Sequence, residues 1–224
     1  MLANLFKEIS KLTESEIDKI IPIVEGSESR LHEAMRYSSM SGGKRVRPLL
    51  VVACGDLFDV DRDKLIRVAA AVELIHTYSL IHDDLPSMDD DDLRRGKDSS
   101  HIKFGEATAT LAADALQSLA FQNMALAKFP ESKISHLRLI SMIAESIGSS
   151  GMAGGQSLDL DSENKKLNAK SVENIYMLKT GRLLRASILT PTYFKKLSEE
   201  KLKALNNFSE AIGIAFQIQD DLIE

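Results

Sequence analysis

The sequence contains no tryptophan, one cysteine, five prolines and 12 glycines in 224 residues. A single cysteine excludes an intrachain disulfide, and no neighbouring motif marks Cys54 as a catalytic thiol. We therefore expect a small buried residue in a reducing compartment. The scarcity of glycine and proline disfavours loop-rich β-sandwiches and collagen-like repeats. Hydrophobic residues make up 44% and charged residues 27%, which is typical of a globular protein and not of a disordered one.

Long hydrophobic runs are also missing. The N-terminal segment has no uninterrupted apolar core and no small-residue cleavage site, so it does not resemble a signal peptide. The most apolar long stretch, 107–127, contains Asp114, Gln117, Gln122 and Asn123, and is too polar for a lipid-facing span. These features predict a cytoplasmic protein without stable membrane insertion.

The negative charge is concentrated in one segment. The net charge is −5, but six aspartates fall between residues 83 and 92, and without them the chain would carry +1. A mildly acidic protein lacks the basic surface that nucleic-acid binding requires, so we expect no nucleic-acid partner. The excess of acid is instead a local feature that calls for a local explanation.

Helical spacing of apolar residues dominates the chain. The segment after Pro48 is compatible with a strand or a helix, and its helical surroundings favour a helix. Residues 107–127 are apolar nearly all round, which predicts a helix buried inside a bundle. Because no repeat or linker is present, we expect one all-α domain over 1–224. The predicted helices cover 2–12, 17–21, 29–40, 63–84, 107–127, 135–149, 171–189 and 198–219.

The segment 82–96, HDDLPSMDDDDLRRG, carries the most distinctive chemistry. Asp83 and Asp84 end an apolar helix that Pro86 cannot continue, because its ring clashes with the carbonyl group of His82. The chain should bend there and bring Asp89 back toward Asp83. Oxygen ligands around such a gap suit Mg²⁺, which takes one or two carboxylates and keeps several waters. A solvated charge run is the plainer alternative for most aspartate clusters.

A calcium loop of the EF-hand type does not fit this segment, because arginine occupies a ligand position and the central glycine is missing. Carboxylates followed by Arg94, Arg95 and Lys97 favour phosphate, which Mg²⁺ and arginine bind together. Further cations and a second acidic group, Asp220-Asp221 with Glu224, lie elsewhere in the chain. The residues together predict a Mg²⁺-dependent enzyme that acts on a diphosphate.

Five motifs in order resemble the trans-isoprenyl diphosphate synthases, the polyprenyl synthetase family, and most of all the bacterial short-chain farnesyl type. They are GGKRVRP at 42–48, HTYSLIHDDLPSMDDDDLRRG at 76–96, GGQSLDL at 154–160, KTG at 179–181 and FQIQDD at 216–221. The resemblance implies an isoprenoid synthase fold, a single-domain orthogonal bundle of helices with a central active-site cavity.

The resemblance also implies roles for individual residues. The metal ligands would be Asp83, Asp89 and Asp220, with Asp84 either assisting or orienting them. The allylic diphosphate would be bound by Arg94, Lys179, Thr180 and Gln217, and isopentenyl diphosphate by Lys44, Arg47, His76 and Arg95. No side chain is assigned as acid or base. Gln156 and Asp159 either line the cavity or pack at a helix end, and His32, His82, His101 and His136 are interpreted as structural.

The implied reaction joins isopentenyl diphosphate to dimethylallyl and then geranyl diphosphate by 1′–4 condensation, giving farnesyl diphosphate and diphosphate. In this family the released diphosphate is thought to take the proton. Tyr78 lies five residues before Asp83, one and a half helical turns away, where a bulky ring would form the floor of an apolar tunnel. The inserted Pro86-Ser87 pair also resembles the bacterial short-chain type. Tyr78 is therefore the predicted limit on product length.

Two departures from the family pattern leave alternatives open. The second aspartate motif has Glu224 in its fifth position in place of aspartate, and the family continues beyond this point, so we expect the domain to be truncated. A non-catalytic dimer partner of a prenyl synthase and a terpene cyclase are the alternatives. Intact motifs argue against the first, and the predicted isopentenyl diphosphate residues argue against the second. The resemblance further implies a homodimer, with which the apolar 107–127 helix is compatible.

Overall fold

The computed structural model describes residues 2–23, 25–26, 29–127, 132–163 and 165–221, without the side chains of Leu2, Gln217, Asp220 and Asp221. The backbone is helical along most of these residues, as predicted. The chain divides into two compact units, Met1–Val52 with Asp63–Lys128 and Ala53–Arg62 with Phe129–Glu224. The helices are α1 (Leu2–Ile20), α2 (Ser29–Ser39), α3 (Val46–Asp56), α4 (Arg62–Asp83), α5 (Ser100–Phe104), α6 (Glu106–Leu126), α7 (Lys133–Ile147), α8 (Met152–Ser162), α9 (Ala169–Tyr176), α10 (Arg182–Leu189) and α11 (Glu199–Asp221).

Helix α4 forms the core of the first unit. Its buried side chains occur at almost every position from Leu65 to Ile81, so no face of the helix is left to solvent. The consecutive alanines 69–71 keep its surface narrow and allow other elements to approach closely. The ambiguous segment after Pro48 is helical, as predicted, and forms α3. Pro48 lies in the first turn of that helix, where a missing N–H costs little.

The predicted burial of the 107–127 helix is wrong for the single chain. Helix α6 buries one face, which packs against α2 and α5. The opposite side leaves Leu111 58% and Leu126 73% exposed. Composition alone misled the prediction, because alanine is equally compatible with a buried helix and with an exposed one. The helix buried on all sides is α4.

The second unit contains α7 to α11, and a π-helical turn at Met177–Gly181 separates α9 from α10. The sequence predicts one uninterrupted helix over 171–189. That helix also begins earlier than predicted, because the Asn168 side chain caps it by accepting the Ser171 N–H at 2.9 Å. Ser198 caps α11, as predicted, by accepting the N–H of Lys201. A 3₁₀ turn at Thr190–Tyr193 follows α10.

Glycines bring three segments of the second unit unusually close together. A methyl group on Gly155 of α8 would collide with the backbone nitrogen of Lys179 in the π-turn. On the other side, a Cβ on Gly213 of α11 would lie 3.1 Å from the Cα of Gly181. The π-turn is therefore held between α8 and α11 by backbone packing that larger residues would block. No helix in the described residues is long and apolar enough to cross a membrane.

Candidate active site

The chain turns sharply after α4, as the position of Pro86 predicts. The backbone N–H of Asp89 donates to the carbonyl oxygen of Asp83 at 2.9 Å, and Met88 and Asp90 donate to Leu85. Asp83 is half-buried and Asp89 is exposed. The two predicted metal ligands thus lie at the two ends of one tight turn. This donor set suits Mg²⁺, which needs only one or two carboxylates from the protein.

Asp84 differs from Asp83 and Asp89, because its side chain is buried and paired with an arginine. Arg94 donates from Nε to Asp84 Oδ1 at 2.8 Å and from Nη2 to the same oxygen, and Nη2 also reaches Asp91 at 3.1 Å. Burial raises the pKa of the Asp84 carboxyl, while the hydrogen bond and the positive charge of Arg94 oppose that rise. Of the two roles left open for Asp84, this geometry favours orientation of a neighbouring group.

A short β-hairpin carries two of the three predicted phosphate-binding arginines, Arg94 and Arg95. Strands β1 (Leu93–Arg94) and β2 (Lys97–Asp98) pair antiparallel around Arg95 and Gly96, which both have positive φ angles of 55° and 74°. This is the geometry that two-residue hairpins prefer. The hairpin is not among the elements predicted from the sequence, although the Arg95-Gly96 dipeptide between two short segments is a weak signal for it.

Arg95 packs against the glycine loop that precedes α3. Its guanidinium group donates to the carbonyl oxygen of Gly42, and a Cβ on Gly43 would lie 2.5 Å from Arg95 Cζ. Gly43 has a φ of 121°, which disfavours any side chain at this position. Lys44 is exposed in the same loop and Arg47 is buried at the start of α3.

His76 lies among these cations on α4. Burial lowers its pKa well below the ordinary histidine value, and Arg47, Arg95, Arg45 and Arg94 lower it further in that order. The ring is therefore neutral at pH 7. The predicted isopentenyl diphosphate residues Arg47, His76 and Arg95 thus lie within electrostatic reach of each other in the first unit.

Tyr78 is 93% buried on α4, at a position consistent with the predicted floor. Its side chain hydrogen-bonds Gln117 of α6, and burial raises the pKa of its phenol. The ring also packs edge-on against His82, with centroids 5.8 Å apart, and His82 Nε2 lies 3.8 Å from Asp114. Tyr78 is therefore held by α6 as well as by its own helix.

In the second unit the π-turn positions Lys179 and Thr180. Lys179 Nζ lies 2.6 Å from Asp159 Oδ2 of α8, and Thr180 is buried. Gln156, also on α8, is buried, and Asp159 is half-exposed. Asp159 therefore contacts a predicted substrate-binding residue directly, which favours its interpretation as part of the site over simple helix-end packing.

The remaining predicted residues lie outside the described side chains. Gln217 and Asp220 belong to α11, where only their backbone is described, and Glu224 is not described. Among the described side chains, His, Cys, Asp and Glu form no cluster of three or more that is arranged to hold a metal ion. Of the three predicted magnesium ligands, Asp83 and Asp89 have side chains that the structure describes.

Two buried polar residues, Arg45 and His101, were not predicted from the sequence to take part in the site. Arg45, next to Lys44, is 97% buried, and His101 is 94% buried in α5 although the sequence predicts a loop there. A cavity with about 30 Å³ of space for water lies beside α5. Its lining includes Thr77, Asp84, Arg94, Arg95 and Ser100. It is large enough for about two waters.

A comparison with known families places the chain. The family model for polyprenyl synthetase matches residues 28–224. The chain belongs to the polyprenyl synthetase family. The match includes every residue assigned above to the candidate active site, and it confirms the resemblance inferred from the five motifs.

Individual members of the polyprenyl synthetase family are closely similar. Farnesyl diphosphate synthase of Escherichia coli (strain K12) is 50% identical over 194 residues, 86% of this chain and 65% of that protein. The chloroplastic heterodimeric geranylgeranyl pyrophosphate synthase large subunit 1 of Arabidopsis thaliana is 41% identical over 220 residues, 96% of this chain and 59% of that protein. The chain thus spans about two thirds of the length of these relatives.

A solved structure of the same family confirms the fold. An apo FPP/GFPP synthase from Zymomonas mobilis matches with a TM-score of 0.94 at 41% identity, covering all of this chain and 82% of that one. The predicted all-α isoprenoid synthase fold is therefore confirmed.

Proposed function

We propose that the protein is a Mg²⁺-dependent prenyltransferase. It condenses isopentenyl diphosphate with dimethylallyl diphosphate and then with geranyl diphosphate, and it releases farnesyl diphosphate and diphosphate. The observation that carries the proposal is the Asp83–Asp89 turn next to the arginine-bearing hairpin, because it combines metal ligands with anion-binding groups in one short segment. The farnesyl diphosphate synthase of E. coli supports it at 50% identity.

The allylic diphosphate is assigned to one group of residues. Asp83, Asp89 and Asp220 would hold Mg²⁺, whose positive charge, when bound, stabilises a departing diphosphate. Arg94 binds the same diphosphate, and its contact with Asp84 holds the guanidinium plane in a fixed orientation. Lys179, Thr180 and Gln217 complete this group in the family pattern.

Isopentenyl diphosphate is assigned to Lys44, Arg47, His76 and Arg95. Because its pKa is depressed, His76 is a neutral imidazole that can donate one hydrogen bond to a phosphate oxygen without binding a second proton. The arginines supply the positive charge. In this proposal the arginines and the neutral His76 are in position before the substrate binds.

The bond changes follow from the substrates. The allylic C1–O bond breaks and its electron pair leaves with the diphosphate. The double bond of isopentenyl diphosphate attacks C1, and a proton is then lost from the adjacent carbon. We assign no side chain to that proton, and the released diphosphate takes it. The protein binds both diphosphates, orients them and excludes water from the reacting carbons.

Tyr78 sets the product length in this proposal. Its ring is buried on the predicted tunnel side of α4 and is fixed by Gln117. The names of the relatives cover farnesyl, geranylgeranyl and FPP/GFPP synthases, so a determinant within the chain must select the product. We assign farnesyl diphosphate because of the bulky ring at this position.

A homodimer in the cytoplasm is the proposed functional state. The side of α6 that is not packed within the chain carries Leu111 and Leu126, whose exposure is costly in water. A second copy that covered this side would remove these leucines from solvent. Sedimentation at micromolar concentration tests the proposal, and a Leu111→Lys variant should shift the protein toward monomer.

One assay tests the activity. The protein is incubated with Mg²⁺, isopentenyl diphosphate and dimethylallyl diphosphate, and the products are identified by mass spectrometry. Farnesyl diphosphate supports the proposal. Absence of turnover would favour a non-catalytic dimer partner, and consumption of farnesyl diphosphate without use of isopentenyl diphosphate would favour a terpene cyclase.

A further inference from the structure

Arg45 lies in the basic loop between α2 and α3, but its surroundings differ from those of Lys44 and Arg47. Its guanidinium Nη1 donates to Glu73 Oε1 at 2.6 Å, and Nη2 donates to the carbonyl oxygen of Ser39 at 2.8 Å. Nη2 and Nε also approach Glu14 Oε1 at 3.3 and 3.4 Å. The Arg45 side chain is 1% exposed, so it is directed into the protein and away from solvent.

Glu73 is equally buried, with 2% of its side chain exposed. It lies on α4, three residues before His76, and therefore within one helical turn of it. An isolated charge in such surroundings is strongly unfavourable, so each member of the pair requires the other. The pair ties the basic loop to the helix that carries His76 and Asp83.

The backbone conformation of this loop requires contacts that stabilise it. Gly42, Gly43 and Arg45 all have positive φ angles, of 77°, 121° and 45°. Glycine adopts this conformation readily, but arginine does so only when its surroundings hold it there. The buried contacts of the Arg45 side chain hold it. Since Lys44 precedes Arg45 and Arg47 follows two residues later, the anchored residue fixes the position from which both cations emerge.

We propose that Arg45 and Glu73 form a positioning pair for the isopentenyl diphosphate site. The pair contacts no substrate. It sets the distance between the cations of the basic loop and His76 on α4, on which the lowered pKa of His76 also depends. The proposal rests on the proposed function, because it takes Lys44, Arg47 and His76 as the residues that bind isopentenyl diphosphate.

The pair is electrically neutral as a unit, and this makes it testable. Replacing both residues, Arg45→Met with Glu73→Met, removes the two fully buried charges. It leaves Glu14 without its arginine, but the Glu14 side chain is 35% exposed and water can solvate its carboxylate. Such replacements of buried ion pairs by apolar residues are often well tolerated. The net charge of the site stays the same. Any loss of phosphate affinity then reports the position of the loop and not the loss of a cation.

The test compares the double variant with wild type in three measurements. Amide hydrogen exchange of residues 41–48 reports the loop without any substrate. Calorimetry gives the Kd for isopentenyl diphosphate and, separately, for geranyl diphosphate. Thermal unfolding monitors the fold. Arg30→Met is the matched control, because Arg30 donates to the Phe104 carbonyl at 2.8 Å in the same unit but outside the loop.

We expect faster exchange in the loop and a Kd for isopentenyl diphosphate raised about tenfold to a hundredfold, since misplacement by about 1 Å costs up to that much. The Kd for geranyl diphosphate should stay within about twofold of wild type on the same reasoning, because its binding groups lie elsewhere. Arg45→Lys, which keeps the charge opposite Glu73, should recover part of the affinity. Arg30→Met should leave the loop exchange and both affinities unchanged.

Unchanged loop exchange and unchanged isopentenyl diphosphate affinity in the double variant would overturn the proposal. So would a parallel loss of affinity for both diphosphates with a lowered Tm, because that result indicates a general structural role. If wild-type protein binds no isopentenyl diphosphate, the proposed function has failed and the positioning role fails with it. Hydrogen exchange would then still decide whether the pair anchors the loop.

Discussion

The backbone N–H of Asp89 donates to the carbonyl oxygen of Asp83 at 2.9 Å, so the first and last acids of the DDLPSMD segment are joined through the main chain. Their side chains do not take part in this bond. A substitution of either carboxylate therefore tests metal binding while the turn remains intact.

Asp89→Asn should lower kcat by about a hundredfold or more, because metal charge stabilisation is worth several kcal/mol and each ~1.4 kcal/mol is tenfold. Steady-state kinetics across a Mg²⁺ titration measures the effect. Asp90→Asn is the control, since it removes the same charge next door, and asparagine tolerates the φ of 54° at this position. Equal losses in the two variants would mean that the segment acts through its overall charge.

Tyr78→Ala should lengthen the product beyond farnesyl diphosphate, because it removes the ring that forms the proposed floor. Chain length is read by mass spectrometry after incubation with excess isopentenyl diphosphate. Tyr78→Phe keeps the ring and loses only the hydrogen bond to Gln117, so its product should remain farnesyl diphosphate. An unchanged product from Tyr78→Ala would remove Tyr78 from this role.

Gly155→Ala should destabilise the protein by about 1–3 kcal/mol, the usual cost of overpacking, because the added methyl group meets the backbone of Lys179. For a chain of this size the Tm should fall by about 2–4 °C for each kcal/mol. Ser157→Ala, an exposed position on the same helix, serves as the control. A Tm equal to that of the control would show that the π-turn can move aside.

The stability of the protein should fall as the pH drops below about 6.5, the ordinary histidine pKa, through a contribution from His76. Burial and four arginines lower its pKa in the folded protein, so below that pH the unfolded chain binds a proton that the folded chain does not. Urea unfolding at pH 5.5 and 7.5 measures the difference. His76→Gln should reduce the pH dependence, and an unchanged pH dependence in this variant would contradict the prediction.

The parts of the structure that follow from local rules could be predicted. Pro86 ends α4 for steric reasons, and the return of Asp89 toward Asp83 follows from that. For the segment after Pro48, where periodicity left strand and helix open, the helical surroundings were sufficient. The motif residues of the first unit also lie together as expected, with Arg47, His76 and Arg95 in electrostatic reach of each other.

The sequence-based predictions were wrong or incomplete where contacts between distant parts of the chain determine the structure. Leu111 is exposed because packing partners within the chain cover only the other side of α6, and composition carries no information about such partners. Arg45 and Arg47 are the same residue type. Only the buried contact with Glu73 distinguishes Arg45 from Arg47, the predicted substrate-binding residue. The backbone of Gly155 in α8 approaches that of Lys179, which is distant from it in sequence. No local sequence pattern therefore predicts the π-turn at Met177–Gly181.

That π-turn has a consequence for the register of the following helix. A π-turn contains one residue more than an α-turn, so deleting a residue within Met177–Gly181 would let the helix continue in regular α form. Each α-helical residue turns the chain by about 100° around the axis, so all five residues in regular α form would rotate everything from Arg182 to Leu189 by roughly that angle. The buried row of Leu183, Leu184 and Ile188 would then face a different neighbour. The wider π-turn absorbs the extra residue and so keeps α10 in the phase that packs it against α7 and α11.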